Sequence, residues 1–133
     1  MLDEPDTDAL LGSVIAFLRD RAIPALPSRE AFHARIAANA LDTVRRALIL
    51  GPASEAAERS RLTDLLGHGG PLSELNAEFA LGLREGRFEA TAPSVLKHLW
   101  ATTLAKLAVD QPGYPAFVRS SAEYDAARSS GEI

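Results

Sequence analysis

The segment from Ser28 to Leu50 constrains this chain more than any other, because it is its longest uninterrupted helical pattern. At about 100° per residue, Phe32, Ile36, Ala40, Val44 and Ala47 share one face, which predicts an inner, apolar stripe. His33 projects near the centre of that face, Asn39 lies at its edge and Arg35 further out. A histidine and an amide turned toward a core need partners, since each costs about 1–3 kcal/mol if buried unpaired. The helix therefore needs neighbours that cover the stripe and satisfy its polar groups.

Those neighbours follow from the same periodicity. Asp6 or Thr7 can cap a first helix, in which Leu10, Leu11, Val14, Ile15 and Leu18 recur at three–four spacing until about Ala22. Pro24 and Pro27 end it, Ser28 caps the second helix, and Gly51-Pro52 reads as a glycine-then-proline stop. A third helix, from about Ser54 to Leu66, buries Leu62, Leu65 and Leu66. Earlier on that face stand Glu55, Glu58 and Arg59, which predicts a solvated first half.

Gly67-His68-Gly69-Gly70-Pro71 is the clearest loop, with Gly67 as a left-handed cap. Leu72, Leu75, Phe79 and Leu83 form the inner face of a fourth helix, with Asn76 beside them, and Gly86 closes it. Thr91 is the predicted cap of a fifth, which has Pro93 in its first turn. Its stripe of Leu96, Leu99, Trp100, Thr103, Leu104 and Leu107 lasts until Asp110. Pro112-Gly113 reads as a type II turn, after which the periodicity disappears. The predicted architecture is an all-α, single-domain bundle of about five helices over residues 1–114. Residues 115–133 form a loosely ordered, partly disordered tail.

Composition removes several classes of function. With 133 residues, 47% of them hydrophobic, the chain can bury a core without staples, and it has no cysteine for disulfides, thiolate nucleophiles or thiolate metal sites. A net charge of −4, with no basic cluster beyond Arg45-Arg46, argues against nucleic acid as a partner. No apolar run approaches the ~20 residues a membrane span needs. The acidic opening Met1-Leu2-Asp3-Glu4-Pro5-Asp6 predicts no secretory signal, and the expected compartment is the cytoplasm.

Two stretches are distinctive: Phe32-His33-Ala34-Arg35-Ile36-Ala37-Ala38-Asn39-Ala40-Leu41 and Leu104-Ala105-Lys106-Leu107-Ala108-Val109-Asp110-Gln111-Pro112. Together with Pro5, Leu50-Gly51-Pro52 and Leu83-Arg84-Glu85-Gly86, they resemble a family of small bacterial helical domains of unknown function. The resemblance covers roughly Leu2 to Tyr114. Members are often encoded beside an aminoglycoside-phosphotransferase-like kinase and an acyl-CoA dehydrogenase. The resemblance implies a bacterial accessory protein of acyl-CoA or phosphotransfer metabolism, and it transfers no catalytic residue. Gln111 stands where many relatives are expected to carry asparagine.

The candidate ligand-binding residues are His33, Arg35, Asn39, Asn76, Lys106 and Asp110. His33 can carry a proton, Arg35 can hold an anion, and Asn39 can line a pocket with them. The plainer reading makes His33 a core histidine bonded to a carbonyl or to Asn76. Lys106 and Asp110 sit one turn apart, in the weaker order for a helix pair, and Asp110 can instead shape the bend at Pro112-Gly113. Glu30-Ala31-Phe32-His33 spells the Glu-x-x-His of di-iron bundles, but Val95 and Leu65 precede His98 and His68 where a second glutamate is needed. No metal and no cofactor is therefore expected. The His68 loop lacks a Gly-x-Ser-x-Gly or Gly-Lys-Ser/Thr companion and reads as a linker. Trp100 is expected in the core.

Three functions remain. The first is a non-enzymatic accessory or interaction protein, joined to a neighbouring kinase, to an acyl-CoA dehydrogenase or to a second copy. The second is a module binding an acyl or CoA-like anion through Arg35. The third is an enzyme pairing His33 with Asp110.

Overall fold

The computed structural model describes residues 5–130. The acidic opening at Met1–Glu4 and the last three positions of the expected tail lie outside them. The described residues contain helices and no strand: α1 Thr7–Phe17, a π-helical turn Leu18–Ala22, α2 Ile23–Ala25, α3 Ser28–Leu66, α4 Leu72–Arg84, α5 Pro93–Asp110 and α6 Pro115–Ser130. The all-α class is the one the periodicity predicts. Two compact units divide the chain at Gly51-Pro52.

In the first unit, Asp6 caps α1 by accepting a hydrogen bond from the Ala9 amide at 2.8 Å. The π turn carries Arg19, which donates to Asn39 at 3.1 Å and pairs with Asp42 on α3. Nearer the start of α1, Asp8 and Arg45 form a two-pronged ion pair. Arg45 holds the Asp8 carboxyl below its ordinary range through that hydrogen bond. The face of α3 that bears these contacts is small. Ala31 and Ala38 are buried on it, and a side chain at Gly12 on α1 would meet the Arg45 guanidinium.

The expected inner stripe is therefore corrected. Phe32, Ile36 and Val44 are about half exposed, and Ala40 and Ala47 are exposed with them. A helix with one alanine stripe and one large apolar stripe can turn either inward. Here the polar partners Asp42 and Arg45 share the alanine stripe, and small side chains let α1 come close enough for both pairs.

A second correction concerns Gly51-Pro52. These residues do not stop the helix: α3 runs through them for 39 residues with Pro52 inside. A glycine stop needs a left-handed backbone, and Gly51 does not adopt one, whereas Gly67 and Gly86 do, at φ 81° and 74°.

In the second unit, Leu62 from α3, Leu75 and Phe79 from α4, and Val95 from α5 form the core, with Leu65, Leu66, Leu72, Leu83 and Phe88 packed around it. Complete burial of Leu62, Leu75 and Val95 contributes about 1.5–3 kcal/mol each. Gly67 ends α3 with its amide on the Thr63 carbonyl at 2.9 Å, and Gly86 closes α4, both as the spacing predicts. Gly82 is buried because the chain after α4 folds back over it. A Cβ there would stand 2.5 Å from the Phe88 ring, which packs on Phe79 at 5.5 Å.

Helix α5 departs from the expected stripe. It buries Val95, His98 and Leu104, while Leu96, Leu99 and Trp100 stay partly exposed. Leu96 and Trp100 instead line a groove with Tyr124 of α6. Its cap is Ala92, and Thr91 donates its hydroxyl hydrogen to Glu89 rather than capping. The Tyr114 amide reaches the Gln111 carbonyl at 3.0 Å across Pro112-Gly113, but Gly113 lacks the positive φ of a type II turn. Beyond it, residues expected as tail form α6; alanine, glutamate and arginine favour a helix there without giving it an apolar face.

Candidate functional site

Three helices of the second unit bring polar side chains together beside its core. On α3, Glu58, Arg61, Leu62 and Leu65 recur at helical spacing, so two charged residues share the stripe that the leucines bury. On α5, His98 and Thr102 stand one turn apart, and Asn76 comes from α4. Asn76 donates to Glu58 at 2.9 Å and to the Leu72 carbonyl at 3.2 Å. Arg61 donates to the Thr102 hydroxyl at 3.2 Å. The His98 ring is 2% exposed and meets the Phe79 ring edge-on at 4.9 Å.

This cluster is incompletely satisfied. Among the described residues, Arg61 Nε and His98 Nδ1 are buried without a hydrogen-bond partner. Such atoms are uncommon, because each forfeits about 1–3 kcal/mol of hydration. Burial pushes the His98 pKa below its ordinary value, the nearby Arg61 charge pushes the same way, and Glu58 opposes them. The imidazole is thus neutral at neutral pH and able to donate or accept.

Arg61 also forms part of the wall of a cleft of about 500 Å³, together with Leu65, Phe88, Val95, Arg87 and Lys97. The hollow beside α1, about 260 Å³, differs in that its cation, Arg45, is already paired with Asp8. Among the described residues, no group of three or more histidine, aspartate or glutamate side chains is placed to hold a metal ion.

The residues singled out from the sequence are distributed over both units. His33 is exposed, edge-on to Phe32 at 5.7 Å, so it is not a core histidine. Arg35 is exposed on the same helix, and Asn39 receives Arg19. Asn76 belongs to the polar cluster, whereas Lys106 and Asp110 are exposed on α5. His68 pairs with Glu78 at 3.0 Å, which raises its pKa and ties the loop to α4. Glu58 is read from the sequence as solvated and His98 only as lacking a glutamate partner, while Arg61 and Thr102 are not singled out, although Glu58 and Arg61 lie in register with Leu62 and Leu65. That register was the available signal.

Fold and cluster together define an all-helical protein with a charged, partly satisfied group set into its second unit. The family model described as domain of unknown function DUF6285 matches residues 24–114, and the chain belongs to that family. The match includes every residue of the cluster. No curated protein and no solved structure matches the chain.

Proposed function

We propose that the protein is a helical accessory protein that acts by joining another protein rather than by catalysis. One observation carries this reading. In the first unit Phe32, Ile36, Val44 and Leu48 line one face of α3, and Leu10, Val14 and Phe17 one face of α1, all substantially exposed. Large exposed apolar faces mark association surfaces. His33 sits amid the α3 row and serves as a polar contact within it.

The partner follows the gene neighbourhood that the resemblance implies, a phosphotransferase-like kinase or an acyl-CoA dehydrogenase, with a second copy of the chain as the alternative. Native mass spectrometry of the tagged protein, drawn gently from its own cells, is expected to show a complex that Phe32→Glu with Ile36→Glu dissolves. A lone monomer that ignores both enzymes overturns the reading.

A second reading, a small-molecule module for an organic anion, is favoured by Arg61. Arg61 lines a cleft and, among the described residues, donates to Thr102. In this reading Arg61 takes the anchoring role first assigned to Arg35.

A further inference from the structure

We infer that the Arg61 cleft binds a small organic carboxylate with an apolar body. The carboxylate lies between the Arg61 guanidinium and the first turn of α5, and the body lies along Leu65, Phe88 and Val95. The inference rests on the small-molecule reading above and names its ligand class.

Three features converge. Arg61 carries more N–H donors than its bond to Thr102 uses, although its Nε, without a partner among the described residues, is itself buried. Helix α5 opens on Ala92 and Pro93 with no side-chain cap, and its next residues, Ser94 and Val95, line the same cleft. The unsatisfied amides of a first turn attract negative charge, here beside a fixed cation. Leu65, Phe88, Ala92 and Val95 give the cleft an apolar strip among its charged walls, and about 500 Å³ suits a small ligand.

Charge selects the ligand's valence. Arg61, Arg87 and Lys97 line the cleft with Asp64 and Glu89, and Arg87 is also paired with Glu85 at 3.3 Å. With Arg87 matched by Glu85, cations and carboxylates around the cleft balance, which suits a single carboxylate held by Arg61 better than a phosphate dianion.

Calorimetric titration with sodium octanoate tests this, with inorganic phosphate as the comparison. Saturable octanoate binding is expected, with phosphate weak or silent. Arg61→Gln is expected to weaken octanoate by about tenfold or more, the loss of a charged hydrogen bond. Lys97→Gln, an exposed change that spares the core, should weaken it by roughly threefold. Octanoate binding unchanged in the folded Lys97→Gln and Arg61→Gln variants overturns the site. Phosphate binding in preference overturns the carboxylate class while leaving the small-molecule reading in place. Failure of both probes to bind the native protein removes the two together.

Discussion

His98 and His68 are displaced from the ordinary histidine range in opposite directions, each for a local reason. Burial and Arg61 lower His98, and the bond to Glu78 raises His68. A lowered histidine pKa means that the unfolded chain takes up the proton first, so the His98 contribution is lost as pH falls below about 6.5. The His68 contribution has the opposite sign: it is complete below that value and is lost as pH rises through the elevated one. Urea unfolding at a series of pH values should separate them. His98→Gln is expected to flatten the acid side of the stability curve, and His68→Ala the side above about pH 6.5. The sequence showed three histidines but not which would be buried. His33 lies on a large apolar stripe and ends exposed, whereas His98 falls between helices because Val95 and Thr102 share its face. Burial of that kind depends on which stripe meets a neighbour, and one helix alone does not contain that information.

At the level of elements, glycine conformation separates the helix ends that were legible from the one that was not. Gly67 and Gly86 are left-handed and terminate α3 and α4, while Gly51 stays helical and, its chain neighbours and own helix backbone aside, has nothing within 4 Å of a built Cβ. Gly51→Ala is expected to raise stability by less than the usual ~0.5–1 kcal/mol, because the freedom the unfolded chain loses is partly offset where the new Cβ meets the Pro52 ring in a helical backbone. Gly67→Ala should lower it by about 1 kcal/mol or more, through the cost of a left-handed alanine. Thermal unfolding by circular dichroism checks both signs. Pro52 misled for a related reason. It removes one helical hydrogen bond and strains the preceding turn, but it fixes a φ that a helix accepts. The π turn was not foreseen either. Its extra residue per turn leaves no mark on a three–four pattern, yet the turn carries the side chain that reaches Asn39 and Asp42.

Over the whole molecule, the two units differ in how they are held together. Among the described residues, the buried apolar ones of the first are Ile15, Ala31 and Ala38, with ion pairs beside them, while the second has Leu62, Leu75, Phe79, Val95 and Leu104. Exposed ion pairs contribute little and are screened by salt. Amide hydrogen exchange is therefore expected to protect residues 58–104 more strongly than residues 7–45. Added salt should widen the difference, and equal protection in both regions would contradict this account.

The placement of the single tryptophan gives the protein an optical reporter of its own. Trp100 lies half-exposed in the groove shared by α5 and α6, near Tyr124. Its emission will shift to the red as α6 lifts away and the indole meets water, before α5 itself unwinds. The first unit has no such chromophore and is dark at that wavelength. A melt followed by tryptophan fluorescence thus reports one seam, whereas far-ultraviolet ellipticity reports every helix. The two curves should part company during heating, and the gap between them measures how early that seam opens.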